Sequence, residues 1–265
     1  MRNVLKMLSA LVIALALATP AMAGEMSCWF PPNWKDKGEQ AKKITDALSK
    51  SGVAVKPRIA KSYPEILEAF ATGEGSLVYI GSFVQAIIRA RDLGTPLVQT
   101  IDGKELYGSV MIYPKGQNPE EILKKYPKEI AFAKGASSGE SGAKAATDGQ
   151  AAIETPGHPN AVGALKAGKA KAAFVKNGWW SGNKKDYPDF DSYEVPGVSD
   201  AKNPDNILTA SKKVSEGDRE KIKQAAIAAK DVFGATEMVA FSPEKLDFTL
   251  ELMKKGKIDP LTYAF

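Results

Sequence analysis

The chain has 265 residues, 44% of them hydrophobic and 25% charged, with a net charge of +5, one cysteine and one histidine. That length can bury a sizeable core, and a single cysteine excludes an internal disulfide. The lysines are dispersed, with no arginine-rich stripe or interleaved aromatic platform, so no nucleic-acid partner is expected; no His/Cys cluster has zinc-ligand spacing, and neither a metal nor a cofactor is implied.

The N-terminus comes first. Residues 1–6 are a short basic start and 8–18 an apolar run of secretory length. Thr19-Pro20 breaks the run, and Ala21-Met22-Ala23 is an A-x-A cleavage site. Residues 1–23 therefore read as a signal peptide, and the mature chain as an exported, periplasmic protein starting near Gly24. No later stretch reaches the ~20 apolar residues of a membrane span. Cys28 is not preceded by a lipobox-like run, because Glu25 and Met26 stand where Leu and Ala would be needed.

Short apolar runs then alternate with helical patterns. The strand candidates are 27–30, 53–59, 77–80, 96–100, 106–113, 129–133, 172–176, 192–195 and 207–210. Ser62-Tyr63-Pro64-Glu65 reads as a capping box with Pro near the first turn, followed by Ile66, Leu67 and Phe70 on one face and ended by Gly73. Ser82 is read as the cap of a helix that carries Val84, Ile87 and Ile88 and runs to Gly94. Ser215 opens an amphipathic helix through Ile222, Ala226 and Val232, and Ser242-Pro243-Glu244 opens the last, with Leu246, Leu250 and Met253. Strand–helix alternation predicts an α/β fold with largely parallel sheets. Segments 106–113 and 203–210 are the natural crossings between two lobes, with a cleft between them.

Gly135-Ala136-Ser137-Ser138-Gly139 fits G-x-S-x-G, the nucleophile elbow of serine hydrolases. Such a nucleophile needs a base, and the chain's histidine, His158, follows too soon for an acid-bearing strand to lie between. A serine hydrolase using Ser137 is therefore the minor alternative, and a non-enzymatic role is expected. The same loop, opening a helix after a strand, is a neutral oxyanion cradle. Unpaired N–H groups and the helix dipole face the anion, and Ser137, Ser138 and Ser141 add hydroxyls. A bland alternative stays open, in which Ser137 merely caps the helix and Glu140 completes a capping box.

Taken together, several segments resemble the periplasmic phosphate/phosphonate-binding family of ABC-transporter substrate-binding proteins. Ala136-Ser137-Ser138-Gly139 is similar to the family's Ser-Thr-Ser-Gly turn, with Ala136 in place of the first serine. Gly157-His158 resembles its Ser-His pair, and 161–174 the helix and strand that follow. Tyr63-Pro64-Glu65-Ile66-Leu67-Glu68-Ala69-Phe70 resembles its Tyr-led helix. Val78-Tyr79-Ile80-Gly81-Ser82-Phe83 resembles a strand ending in a glycine turn beneath the ligand, and Asn203-Pro204-Asp205-Asn206-Ile207 its return crossing.

That resemblance implies a two-lobed type II periplasmic binding protein fold with a ligand cleft between lobes. Residues 24–106 and 208–265 would form lobe one and 107–207 lobe two. It implies a solute-binding component of an ABC importer, a monomer that delivers a small oxyanion (phosphonate, phosphite or phosphate-like) to an inner-membrane permease. Ser137, Ser138 and Gly139 would hold the anion from lobe two, Tyr63, Gly81 and Ser82 would meet it from lobe one, and His158 and Asp205 would complete the site. The chain also departs from the family. Where aminophosphonate binders carry a carboxylate for the ligand amine, Val175-Lys176-Asn177-Gly178-Trp179-Trp180 has none. Cys28, Trp29 and Trp34 replace the usual opening after the first strand. Those three, with Tyr79, Trp179 and Trp180, are candidate cleft-lining residues. Binding of an apolar or sulfonated ligand through the tryptophans is one alternative, and presentation of a ligand to a sensor kinase another. Cys28 reads as a buried hydrophobe, with thiol recognition of a soft ligand such as arsenite as its alternative.

Overall fold

The computed structural model describes residues 25–72 and 74–265. The segment 1–23 expected to be a leader, and Gly73, expected to end a helix, lie outside the described residues. β1 (Met26–Phe30), α1 (Gly38–Ser49), β2 (Val55–Ile59), α2 (Tyr63–Thr72), β3 (Ser76–Ile80), α3 (Ser82–Ala90) and β4 (Gly94–Ile101) form a βαβ series in the first half. The chain crosses at β5 (Leu106–Tyr107). It continues through β6 (Ser109–Pro114), α4 (Pro119–Lys125), β7 (Ile130–Ala133), α5 (Gly142–Ala146), β8 (Ile153–Thr155), α6 (His158–Lys166), β9 (Ala172–Lys176), α7 (Asn177–Asn183) and β10 (Phe190–Tyr193). It returns at β11 (Asn203–Pro204) to β12 (Ile207–Ser211), α8 (Glu216–Ala228), β13 (Glu237–Ala240) and α9 (Asp247–Lys255).

Two sheets result, six strands in the order β13-β4-β12-β3-β1-β2 and five in the order β10-β6-β9-β7-β8. β5 and β11 pair as a separate antiparallel ribbon between them. This is the two-lobed type II periplasmic binding protein architecture. The expectation of largely parallel sheets is corrected, since both sheets are mixed. β1 runs parallel to β2 and β3, but β12 returns from the other lobe, inserts between β3 and β4, and lies antiparallel to both. In the second sheet β7 is parallel to β8 and β9, whereas β6 is antiparallel to β9 and β10.

The packing follows residue periodicity. Along β1 the side chains alternate between sheet faces, so Met26, Cys28 and Phe30 enter the core under α1 and α8 while Trp29 enters the core shared with α2 and α3. Ser215 caps α8 as its spacing predicted, its hydroxyl accepting from the Asp218 N–H at 3.1 Å. Glu65 reaches back to the N–H of Lys61 at 2.8 Å, which fixes the start of α2. The C-terminal helix α9 joins both halves, with Met253 in a core of the first lobe and Leu252 buried in the second. Among the described residues no helix is long and apolar enough to cross a membrane.

Candidate ligand-binding site

A cavity of about 320 Å³ lies between the sheets, beside the β5–β11 ribbon. Its floor is polar. β7 is four apolar residues, all buried, and it ends in a turn at Gly135, whose φ of +69° lies in the left-handed region that glycine adopts without steric cost. The chain then enters a π-helical turn, Ser137–Ser141, that runs into α5. The capping is done by Glu140 rather than Ser137. The fully buried Glu140 accepts from the Gly135 N–H at 2.8 Å, from Lys144 Nζ at 2.9 Å and from the Tyr263 hydroxyl at 2.7 Å. Ser137 is thereby left free of the cap. Its hydroxyl shares a hydrogen bond of 2.9 Å with the Ser82 hydroxyl, which also meets the Tyr107 hydroxyl at 2.8 Å. Ser82 is likewise no cap. Gly81 holds that position, and Ser82 is the first residue of α3 with its side chain turned into the cavity.

Donors converge here. Among the described residues the N–H groups of Ser137 and Ser138 donate to no protein acceptor, and both residues line the cavity. His158, at the start of α6, also lines it, with a buried Nδ1 that has no hydrogen-bond partner. Burial, and then the charge of Lys176, lower the His158 pKa from 6.5 to about 4, so the ring is neutral near pH 7. Lys176, the last residue of β9, pairs with Asp205 at 2.6 Å, its Nζ 4.3 Å from the centroid of the Tyr107 ring. Burial pushes the Tyr107 hydroxyl pKa well up, so it stays protonated and able to donate.

Residues 35–243 match the family model of ABC transporter, phosphonate, periplasmic substrate-binding proteins. The chain belongs to this family. No curated protein matches it in sequence. Among solved structures it is similar to PhnD1 from Prochlorococcus marinus in complex with methylphosphonate, at 17% identity and a TM-score of 0.63, over 88% of this chain and 98% of that one. It is also similar to a binding-protein component of an ABC phosphonate transporter from Pseudomonas aeruginosa, at 13% identity and a TM-score of 0.64, over 88% and 87%. A Xanthomonas citri protein bound to ATP matches at 9% identity and a TM-score of 0.67, over 88% and 96%.

Within this family member, Tyr63, Gly81, Ser82, Ser137, Ser138, His158 and Asp205 all line the one cavity. Gly139 does not. It packs against Ala133, and its N–H is donated to the Ala136 carbonyl at 3.1 Å. Ser141 is buried away from the cavity. Of the six residues Cys28, Trp29, Trp34, Tyr79, Trp179 and Trp180 expected to line the cleft, Trp34 does so, stacked on Phe30 with ring centroids 4.9 Å apart. Tyr79 lies behind Trp34, its hydroxyl on Thr100 at 3.0 Å and its pKa pushed up to about 12 by burial. Cys28 and Trp29 are buried on opposite faces of β1, and burial raises the Cys28 pKa far above its usual value, as for an inert hydrophobic thiol. Trp180 is buried in the second lobe, while Trp179 lies against the His158 ring at 6.1 Å and backs it from outside the cavity. Residue-by-residue reading did not single out Tyr107, Lys176, Asn206, Asn33 or Lys37 as lining residues. Tyr107 precedes Gly108 inside what reads as one continuous strand, and that glycine was the available signal.

Proposed function

We propose that this protein is an exported, monomeric solute-binding component that delivers a small phosphorus oxyanion to an inner-membrane ABC permease. Residues 1–23 are its leader, 24–106 and 208–265 its first lobe, and 107–207 its second. The observation that carries this reading is the convergence of hydroxyl and N–H groups on one cavity. The hydroxyls of Ser82, Ser137, Ser138 and Tyr107, the Ser137 and Ser138 N–H groups and the unpartnered side of His158 all meet there. A phosphonate head offers three oxygens to such a set, solvated by dipoles at a helix start rather than by a dedicated arginine. Hinge closure about the β5–β11 ribbon would exclude water and strengthen those bonds.

The protein acts without making or breaking bonds in its ligand. Ser137 shares its hydrogen bond with Ser82, and His158 makes none to Ser137 among the described residues, so the nucleophile–base pair of a hydrolase lacks its contact. Calorimetric titration of the mature protein with methylphosphonate, phosphite, phosphate and sulfate tests the reading. Saturable binding of at least one phosphorus oxyanion, tighter than that of sulfate, is the expected result. Binding of none of the three overturns it.

A further inference from the structure

Lys176 is placed unusually for a lysine beside an anion site. Its ammonium is bonded to Asp205 at 2.6 Å and lies 4.3 Å from the centre of the Tyr107 ring. A carboxylate on one side and an aromatic face on the other form the kind of cage that recognises an ammonium group. All three residues line the same cavity as the oxyanion donors, and Tyr107 joins the two ends, since its ring faces Lys176 while its hydroxyl bonds Ser82. The cage comes from three separate parts of the chain: the end of β9, the turn after β11, and β5.

We infer that Lys176 is a specificity-determining residue, a resident ammonium that fills the Asp205–Tyr107 cage and thereby restricts this site to oxyanions without an amine. This rests on the oxyanion-binding reading of the cavity. A tethered cation competes with a free one at the high effective concentration its stem imposes, so a ligand ammonium must displace it to reach Asp205. Displacement also frees a lysine beside the incoming ammonium, where like charges repel. Paired with Asp205, Lys176 cancels the only carboxylate that lines the cavity among the described residues, which would otherwise repel an anionic head. The ligand class is thus a simple phosphonate or inorganic phosphorus oxyanion with an uncharged or acidic tail.

The test compares methylphosphonate with 2-aminoethylphosphonate by calorimetry on the mature protein. The wild type is expected to bind methylphosphonate at least tenfold tighter. Lys176→Met keeps the stem, uncovers Asp205, and is expected to shift the ratio at least tenfold toward the aminophosphonate. Asp205→Asn removes the carboxylate but keeps the lysine, and is expected to hold or widen the wild-type ratio. Circular dichroism melting of each variant reports folding, and if Lys176→Met does not fold, the Asp205→Asn ratio still decides. Equal wild-type binding of the two phosphonates, an unchanged ratio in Lys176→Met, or a shift toward the aminophosphonate in Asp205→Asn overturns the inference while leaving oxyanion binding intact. Binding of neither phosphonate, nor of phosphite or phosphate, by the wild type overturns the cavity reading and this inference with it.

Discussion

The hydroxyls of Ser82 and Ser137 share a 2.9 Å hydrogen bond although 55 residues separate them in sequence and each belongs to a different sheet's half of the molecule. Neither is spent on capping its own helix. Gly81 takes that position for α3, and Glu140 supplies the bond to Gly135 that a capping serine would not. Two hydroxyls released from local duty therefore meet across the cleft, with Tyr107 of the crossing ribbon as third member.

Ser138 gives the cleanest test of the cradle. It is buried, lines the cavity, and its hydroxyl has no protein partner among the described residues. Ser138→Ala should thus cost the fold little. A hydrogen bond to a charged oxygen is worth about 1.5–3 kcal/mol, so methylphosphonate affinity should fall roughly tenfold to a hundredfold. Titration calorimetry and a melting curve check both halves. Unchanged affinity would put the oxyanion elsewhere.

His158 carries a pH signature. Its pKa in the folded protein, about 4, is below the unfolded value of 6.5. Protonation therefore favours the unfolded chain, so the histidine's contribution is fully present above pH 6.5 and is lost as pH falls toward 4. At ~1.4 kcal/mol per pKa unit the span is roughly 3 kcal/mol. A bound anion pulls the other way by favouring the protonated ring, so a saturating phosphonate should protect most strongly at the acid end. Urea denaturation between pH 4 and 7 should show a slope that His158→Gln flattens.

The fold was legible where a pattern needs only its own segment. β7 is a continuous apolar run and β1, β3 and β9 are mostly apolar, and Ser215 three residues before Asp218 marks the start of α8 correctly. The sequence pattern places the tenth strand two residues late, at 192–195 rather than 190–193, because its alternation is weak at an exposed sheet edge. β8, β11 and β13 went unseen because they are short, and β8 and β13 are edge strands carrying few buried residues. In the site, Tyr63, Ser82, Ser137 and His158 sit at element starts and were picked out through the family resemblance of their segments, while the cap readings of Ser82 and Ser137 did not hold. Lys176 and Tyr107 were not, because what brings them together is the pairing of β9 with β6, which sets Lys176 opposite Ser109 just after Tyr107, a long-range pairing that local periodicity does not encode.

The bond between Glu140 and Tyr263 ties the C-terminal tail to the cradle. Arg91 holds that tail through the carbonyls of Pro260 and Tyr263 at 2.9 and 2.8 Å. Glu140→Gln replaces a two-oxygen acceptor by an amide that cannot satisfy Gly135, Lys144 and Tyr263 together. With a buried group left unpaired, the expected loss is about 2 kcal/mol, against about 1 kcal/mol for Tyr263→Phe, which removes one bond only. Urea midpoints with unchanged m-values measure both. A larger loss for Tyr263→Phe than for Glu140→Gln would show that Glu140 is not the hub.

Gly108 links the crossing to the site. It stands between β5 and β6, its carbonyl accepts from the Asn177 N–H at 3.1 Å, and a Cβ there would overlap the Ser199 carbonyl oxygen. Gly108→Ala must move one of two backbones, and overpacking of this kind costs about 1–3 kcal/mol. The shift falls next to Tyr107 and Lys176, so ligand affinity should drop at least severalfold along with stability. Gly163→Ala, inside α6 with open space around its missing Cβ, is the matched control and should be neutral or stabilising by up to about 1 kcal/mol. Stability and affinity that both survive in Gly108→Ala would mean the ribbon yields without disturbing Tyr107, and that the cavity's geometry is set within the lobes instead of at their crossing.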